Sequence, residues 1–161
     1  MDESTKSAVT LRRAELGVLG IGLLIALIAM ALASKGAFQA NMAGTQGTEK
    51  LAALLFTLAS LLFVGVIVVA PYALVAFLGR LVARDGSANA YQIAGFVISC
   101  VVTAASGYLY FEAVSAVSGP RPSSTSAVVF VIFPVLLCIV GGTAYGVLVY
   151  LHSRARRQSS A

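Results

Sequence analysis

Four stretches of this chain contain no charged residue, and each is long enough to cross a bilayer: Leu16–Ser34, Leu51–Gly79, Gly86–Phe111 and Ser123–Ser153. An α-helix rises about 1.5 Å per residue and a hydrocarbon core is about 30 Å thick, so roughly 20 apolar residues suffice for a crossing. The expected fold is all-α: a polytopic integral membrane protein built as an antiparallel four-transmembrane-helix bundle. The spans fall at about 16–34, 51–79, 90–111 and 127–152, with short tails at 1–15 and 153–161. That leaves a single membrane domain over residues 1–161.

Composition supports this. Apolar residues make up 59% of the 161-residue chain and charged residues 11%, against about 25% charge in a soluble domain. The formal charge of +5 is distributed as in a membrane protein. Lys6, Arg12 and Arg13 precede the first span, Arg80 and Arg84 follow the second, and Arg154, Arg156 and Arg157 follow the fourth. The remaining two loops hold only Lys35, Lys50 and Arg121. Short loops rich in Lys and Arg stay cytoplasmic, so both termini and the central loop are expected inside. The general look, that of a small bacterial four-span protein, leads to the expectation of a cell inner (plasma) membrane. The lipid bilayer is then the first partner, with the basic tail drawn to anionic headgroups and not to nucleic acid. Ala31, Leu32 and Ala33 have the small-x-small spacing of a signal-peptidase site. However, the apolar run before them exceeds the 7–15 residues of a signal peptide, so the first span is expected to be retained.

Within the spans, Pro71 interrupts the second, which is too long for one perpendicular crossing. A kink is expected there, and Pro71 is the hinge candidate. The turn-rich segment 85–89 is short enough to make the second and third helices antiparallel neighbours. The first outer loop, Lys35–Lys50, reads as small, polar and mobile. In the outer loop around Pro120 and Pro122, a Ser/Thr cluster would cap the fourth helix. The clearest packing signal is a stripe at every fourth residue of the third span, Gly95, Ser99, Thr103 and Gly107. Cys138, Gly142 and Gly146 repeat the interval in the fourth. Such stripes let helices approach closely, and these two are expected to meet, within one subunit or across an oligomer contact.

Groups with chemistry are sparse. His152, the lone histidine, lies at the inner end of the fourth span and is expected to be solvated. Cys100 and Cys138 are too far apart for a Cys-x-x-Cys redox pair and read as small apolar residues. No metal or cofactor site is implied: neither clustered donors nor a phosphate-binding glycine loop is present. The first span, counted from Leu16, holds no carboxylate of the kind on which small multidrug-type four-helix transporters rely. No ionisable residue is expected deep in any span. Glu112, ending the third span beside Tyr108, Tyr110 and Phe111, is the possible ion or polar site, with Arg121 as a partner in the same loop.

Three classes of function remain open on this reading. The first is a non-enzymatic accessory or interaction subunit of a membrane assembly, packing against another membrane protein or itself. The second is a small oligomeric channel or transporter with Glu112 at its outer mouth. An enzyme of lipid-soluble substrates comes last, since only Ser99, Thr103, Cys100, Cys138 and Thr143 supply polar groups within the spans.

Overall fold

The computed structural model describes residues 3–42, 47–83, 90–118 and 125–159. They form four helices and, among the described residues, no strand: α1 (Glu3–Met42), α2 (Thr48–Val82), α3 (Ala90–Ser118) and α4 (Thr125–Ser159). Each contains a segment long and apolar enough to cross a membrane. The chain is therefore an all-α four-helix bundle and a small multi-pass membrane protein.

The helices outrun the expected spans at most ends. α1 takes in nearly all of the supposed N-terminal tail and continues to Met42, so the first half of the expected mobile loop is helical. One glycine, Gly36, costs about 1 kcal/mol in a helix, too little to stop a ladder that already runs through lipid. α3 continues past Phe111 to Ser118, and α4 carries the C-terminal basic residues on helix to Ser159. Gly47, at φ 62, supplies the left-handed residue from which α2 starts. α2 is continuous through Pro71, and the ring is buried. The turn at 85–89, Arg84, the Pro120 and Pro122 stop, and any pairing of Glu112 with Arg121 lie outside the described residues.

Each helix buries one stripe at alternating three- and four-residue steps, the spacing of knobs-into-holes packing. On α1 the stripe includes Glu15, Leu19, Gly22, Ala26 and Ala29; on α3, Gln92, Gly95, Ser99, Val102, Ser106, Tyr110 and Ala113. On α4 it is Phe130, Pro134, Leu137, Gly141, Tyr145, Leu148 and His152. The pattern reverses that of a soluble bundle. Small and hydroxyl-bearing residues face inward, while Leu24, Ile28, Phe56, Leu62, Phe63, Val101, Phe111 and Val140 face outward. Lipid is as apolar as leucine, so burying leucine gains little, and close backbone approach and interhelical hydrogen bonds decide which face turns in.

Around the bundle the order is α1–α3–α4–α2. α2 and α3 thus sit across a diagonal, which corrects the expectation that the shortest connection makes them neighbours. The reason lies in the faces: α1 offers Val18 and Gly22 to Thr103 of α3, and that parallel contact is the most extensive of the bundle. A Cβ at Gly22 would lie 2.7 Å from the Tyr72 ring and 2.9 Å from Thr103 Cγ2, so only glycine fits.

Candidate functional site

The bundle interior is polar at one level. Glu15 on α1 is 6% exposed, which overturns the expectation that no ionisable residue lies deep in a span. Counting uncharged runs starts the span at Leu16 and so discards the residue just before it. The helix, however, begins twelve residues earlier, at Glu3, and puts Glu15 on the same stripe as Leu19 and Gly22.

All four helices contribute to its surroundings. On Glu15 itself, Oε2 accepts a hydrogen bond from Arg12 Nη1, one turn earlier on α1, and the two form an ion pair. Oε1 accepts from the Tyr145 hydroxyl of α4. Ser99 Oγ on α3 lies 3.1 Å from the same oxygen, 3.0 Å from the Gly95 carbonyl and 3.4 Å from Tyr145 Oη. From α2 comes a carbonyl: Arg12 Nη2 donates to Ala76 O at 2.6 Å. Two glycines clear the space. A Cβ at Gly79 would collide with the Arg12 guanidinium and lie 2.7 Å from Glu15 Oε1, and one at Gly95 would lie 2.6 Å from Tyr145 Oη. A small cleft beside the carboxylate is lined by Leu11, Val82, Ala83, Gln92, Gly95 and Tyr145 among others. Its cavity volume is about 10 Å³, about what one water needs.

The level lies in the terminal half of the bundle, a turn or so from the end of α2 at Val82. Ser99 is about 14 Å along α3 from Ala90, and Tyr145 about 21 Å along α4 from Ser159, at 1.5 Å per residue. The exposed Arg13 and Arg80 lie close to this level along the chain and mark the end of the bundle that carries both termini. A carboxylate buried among apolar helices costs several kcal/mol unless it is paired and hydrogen-bonded, and such residues in membrane spans are held for function by default. Here Glu15 is both paired and hydrogen-bonded. Among the described residues no three His, Cys, Asp or Glu side chains cluster, so the carboxylate stands alone as an acidic donor.

A second tier of hydroxyls follows toward the far end. Thr103 Oγ1 donates to Val18 O of α1 at 3.3 Å, and Tyr72 of α2 donates to Ser106 Oγ at 2.6 Å. Ser106 in turn donates to Thr103 O. By contrast Ser60, Ser115 and Ser153, on outward faces, bond only to carbonyls of their own helix, the usual way for such a side chain to hide its polarity.

The other sequence-derived positions separate. Gly95, Ser99 and Thr103 share the inward face of α3, but Gly107 has no atom near its missing side chain. On α4, Cys138 is half-buried, Gly142 sits against Leu74 of α2 at 3.0 Å, and Gly146 faces open space. Within the chain, then, the two stripes do not face each other. α4 presents Gly141 and Tyr145 to α3, a face one residue away from the expected one. Both cysteines are free thiols, each half-buried. Glu112 is exposed at the far end. His152 is not solvated as expected: it is 8% exposed, with its ring edge-on to Tyr91 at 5.0 Å. The signal that would have found Glu15 was present in the sequence. Continuing the Gly22, Leu19 stripe by one further step reaches Glu15, whereas Arg13 falls on the outer face.

Compared with known proteins, the chain matches no family model, no curated protein and no solved structure.

Proposed function

We propose that this protein is a small membrane transporter or channel whose ion-binding residue is Glu15. One observation carries the reading: a single carboxylate lies where all four helices converge, its two oxygens divided between an arginine and a pair of hydroxyls. A purely structural anchor could be made from neutral groups at lower desolvation cost, so the retained charge argues for exchange of a cation or a proton. Arg12 acts as an internal counter-cation that holds the site when the carboxylate is ionised. The cleft toward the terminal end supplies access. The basic residues beside the termini support an orientation with both ends cytoplasmic in the plasma membrane. The test is ion flux in proteoliposomes of the purified chain. Glu15→Gln keeps the size and one acceptor oxygen but removes the charge and the second acceptor, and is expected to lower flux at least tenfold. Glu112→Gln, at the exposed far end, should lower it by less than half. Equal flux for wild type and Glu15→Gln refutes the reading.

The second reading, an accessory or interaction subunit that packs against another membrane protein or itself, draws on a different observation. α1 turns Gly17 and Gly20 outward with no atom within 4 Å of a would-be Cβ, a notch beside the exposed Ile21 and Leu24 where a foreign helix can approach closely. The native mass of the complex extracted in mild detergent tests it.

A further inference from the structure

We propose that the ion is a proton, and that it passes between Glu15 and the far half of the bundle along a ladder of hydroxyls on α3: Ser99, Thr103, Ser106 and Tyr110. This rests on the reading of Glu15 as the ion-binding residue and names what it carries.

Three observations support the assignment. The first is register. The four residues follow one another at steps of four, three and four, so their hydroxyls occupy one inward face of α3, and Ser99, Ser106 and Tyr110 are each fully buried. At 1.5 Å per residue the steps are about 6, 4.5 and 6 Å, gaps that one water hydrogen-bonded on both sides closes. The second is Tyr110. It is 0% exposed, its ring stacks on Phe130 at 5.6 Å, and its hydroxyl has no hydrogen-bond partner among the described residues. A buried phenol in an apolar bundle is ordinarily placed where its hydroxyl finds a partner, so one without a partner among the described residues is a position that a water can serve. Tyr72, which donates to Ser106, lies within electrostatic range of it and bridges the same step from α2. The third is size. The cleft at Glu15 has room for about one water, and beyond Ser99 the ladder offers only one or two hydroxyls at a level among the described residues. A metal cation or an organic cation needs several oxygens at one level to replace its hydration shell. A proton needs only groups that accept on one side and donate on the other, and a hydroxyl carries one donor and two acceptor lone pairs.

The transfer balances without any further reactant. A proton from water at the terminal end adds to Glu15 Oε1, where Ser99 and Tyr145 already converge. It leaves to the next oxygen as that group releases its own proton onward, the last of them to water at the far end, so one proton enters and one leaves. Each hydroxyl keeps its proton count and rotates back before the next transfer, Ser99 to the Glu15 side and Ser106 to the Thr103 carbonyl. The charged and titratable groups facing Glu15 are Arg12 from its own helix and Tyr145 from α4. Among the described residues, α2 and α3 offer the Ala76 carbonyl, Gly79, Gly95 and Ser99, with the uncharged Gln92 lining the cleft beside them.

The experiment reads internal pH in proteoliposomes of the full chain, with the membrane potential clamped by potassium and valinomycin. Sodium and potassium fluxes are followed in parallel. Wild type should pass protons above the rate of empty vesicles. Ser106→Ala, Tyr72→Phe and Tyr110→Phe should each lower that rate about tenfold, while Tyr108→Phe, which removes an outward hydroxyl two residues from Tyr110, should leave it unchanged. Variants are compared only at wild-type helix content and native mass. Tyr72→Phe and Tyr110→Phe lose one oxygen each and so keep the test open if Ser106→Ala does not fold. Proton flux lost in Glu15→Gln but kept in all three ladder variants overturns the ladder and leaves Glu15 as the ion site. Glu15-dependent flux of sodium or potassium without protons overturns the proton assignment alone. No Glu15-dependent flux of any of the three removes both.

Discussion

The terminal and far halves of the bundle hold two of its buried tyrosines, Tyr145 and Tyr110, in opposite ways. In the terminal half, Tyr145 reaches across from α4, a glycine makes room for its ring, and its hydroxyl ends on Glu15 and Ser99. In the far half, Tyr110 lies flat on Phe130 with Ala26, Ala29 and Val68 in the same core, and its hydroxyl has no hydrogen-bond partner among the described residues. One half is specified by a charged hydrogen-bond network, the other by apolar and aromatic packing around the neutral Tyr72–Ser106 and Thr103–Val18 bonds. Charge and exchange chemistry therefore concentrate at the terminal half, and the far half contributes a packed conduit.

The largest expected effect tests whether the terminal half is a true network. Glu15→Ala leaves the Arg12 guanidinium against α2 with no counter-charge, and removing one partner of a buried pair costs about 3–5 kcal/mol. Arg12 is 16% exposed and can turn toward water, so about 3 kcal/mol is expected. The double variant Arg12→Ala with Glu15→Ala should recover more than half of that loss in thermal unfolding in detergent. Strict additivity of the two single losses would mean that the residues act independently, and the contrast between the halves would collapse.

Next come the glycines. Gly22→Ala and Gly95→Ala each drive a methyl into a stiff neighbour, the Tyr72 ring with Thr103 in one case and the Tyr145 ring in the other. Overpacking of this kind costs about 1–3 kcal/mol. Gly79→Ala meets the guanidinium tip of Arg12, the far end of a flexible chain, and should cost less in stability while displacing Arg12 from Ala76 O. A loss at Gly79 as large as at Gly22 would show that Arg12 is more rigidly held than its exposure implies. Smaller again are the two tyrosines. Tyr145→Phe should lose about 1 kcal/mol, within the range for interhelical hydrogen bonds in membranes. Tyr110→Phe discriminates between a dry and a wet far half: loss of an unserved hydroxyl stabilises, and loss of a hydrated one destabilises by a few tenths. The ladder requires the second outcome.

Much of this architecture was legible from charge alone. Four uncharged runs are enough to define four helices, because nothing else satisfies a backbone in lipid. The inward faces were not legible from hydropathy, since every face is apolar; residue size held the information, and the α3 stripe of Gly95, Ser99 and Thr103 was found in that way. Gly107 and Gly146 were included with the same logic, although an interval of four drifts off a packing seam that needs threes and fours in alternation. Glu15 was missed because a span was taken to begin where charge ends. Helix ends are set by hydrogen bonding, not by charge, and Arg12 and Tyr145 offset part of the desolvation cost of a carboxylate one step along the packing seam. The diagonal placement of α2 and α3 was beyond reach, since it follows from which faces fit and not from the length of the connection.

The smallest effect separates members of the stripes that look equivalent in sequence. Gly107 and Gly146 have no atom within 4 Å of a would-be Cβ, so Gly107→Ala and Gly146→Ala add a methyl to open space. Alanine is the better helix former by up to about 1 kcal/mol, and both variants should unfold at the same temperature as wild type or slightly higher. If the two stripes served as contacts between copies of the chain, the same substitutions would crowd that contact and shift the native mass in mild detergent. An unchanged mass with an unchanged or raised midpoint therefore confines the packing role to Gly22, Gly65, Gly79, Gly95, Gly141 and Gly142, the described glycines near which side chains of another helix lie. A lowered mass would assign Gly146 to an interface between chains and return weight to the interaction-subunit reading.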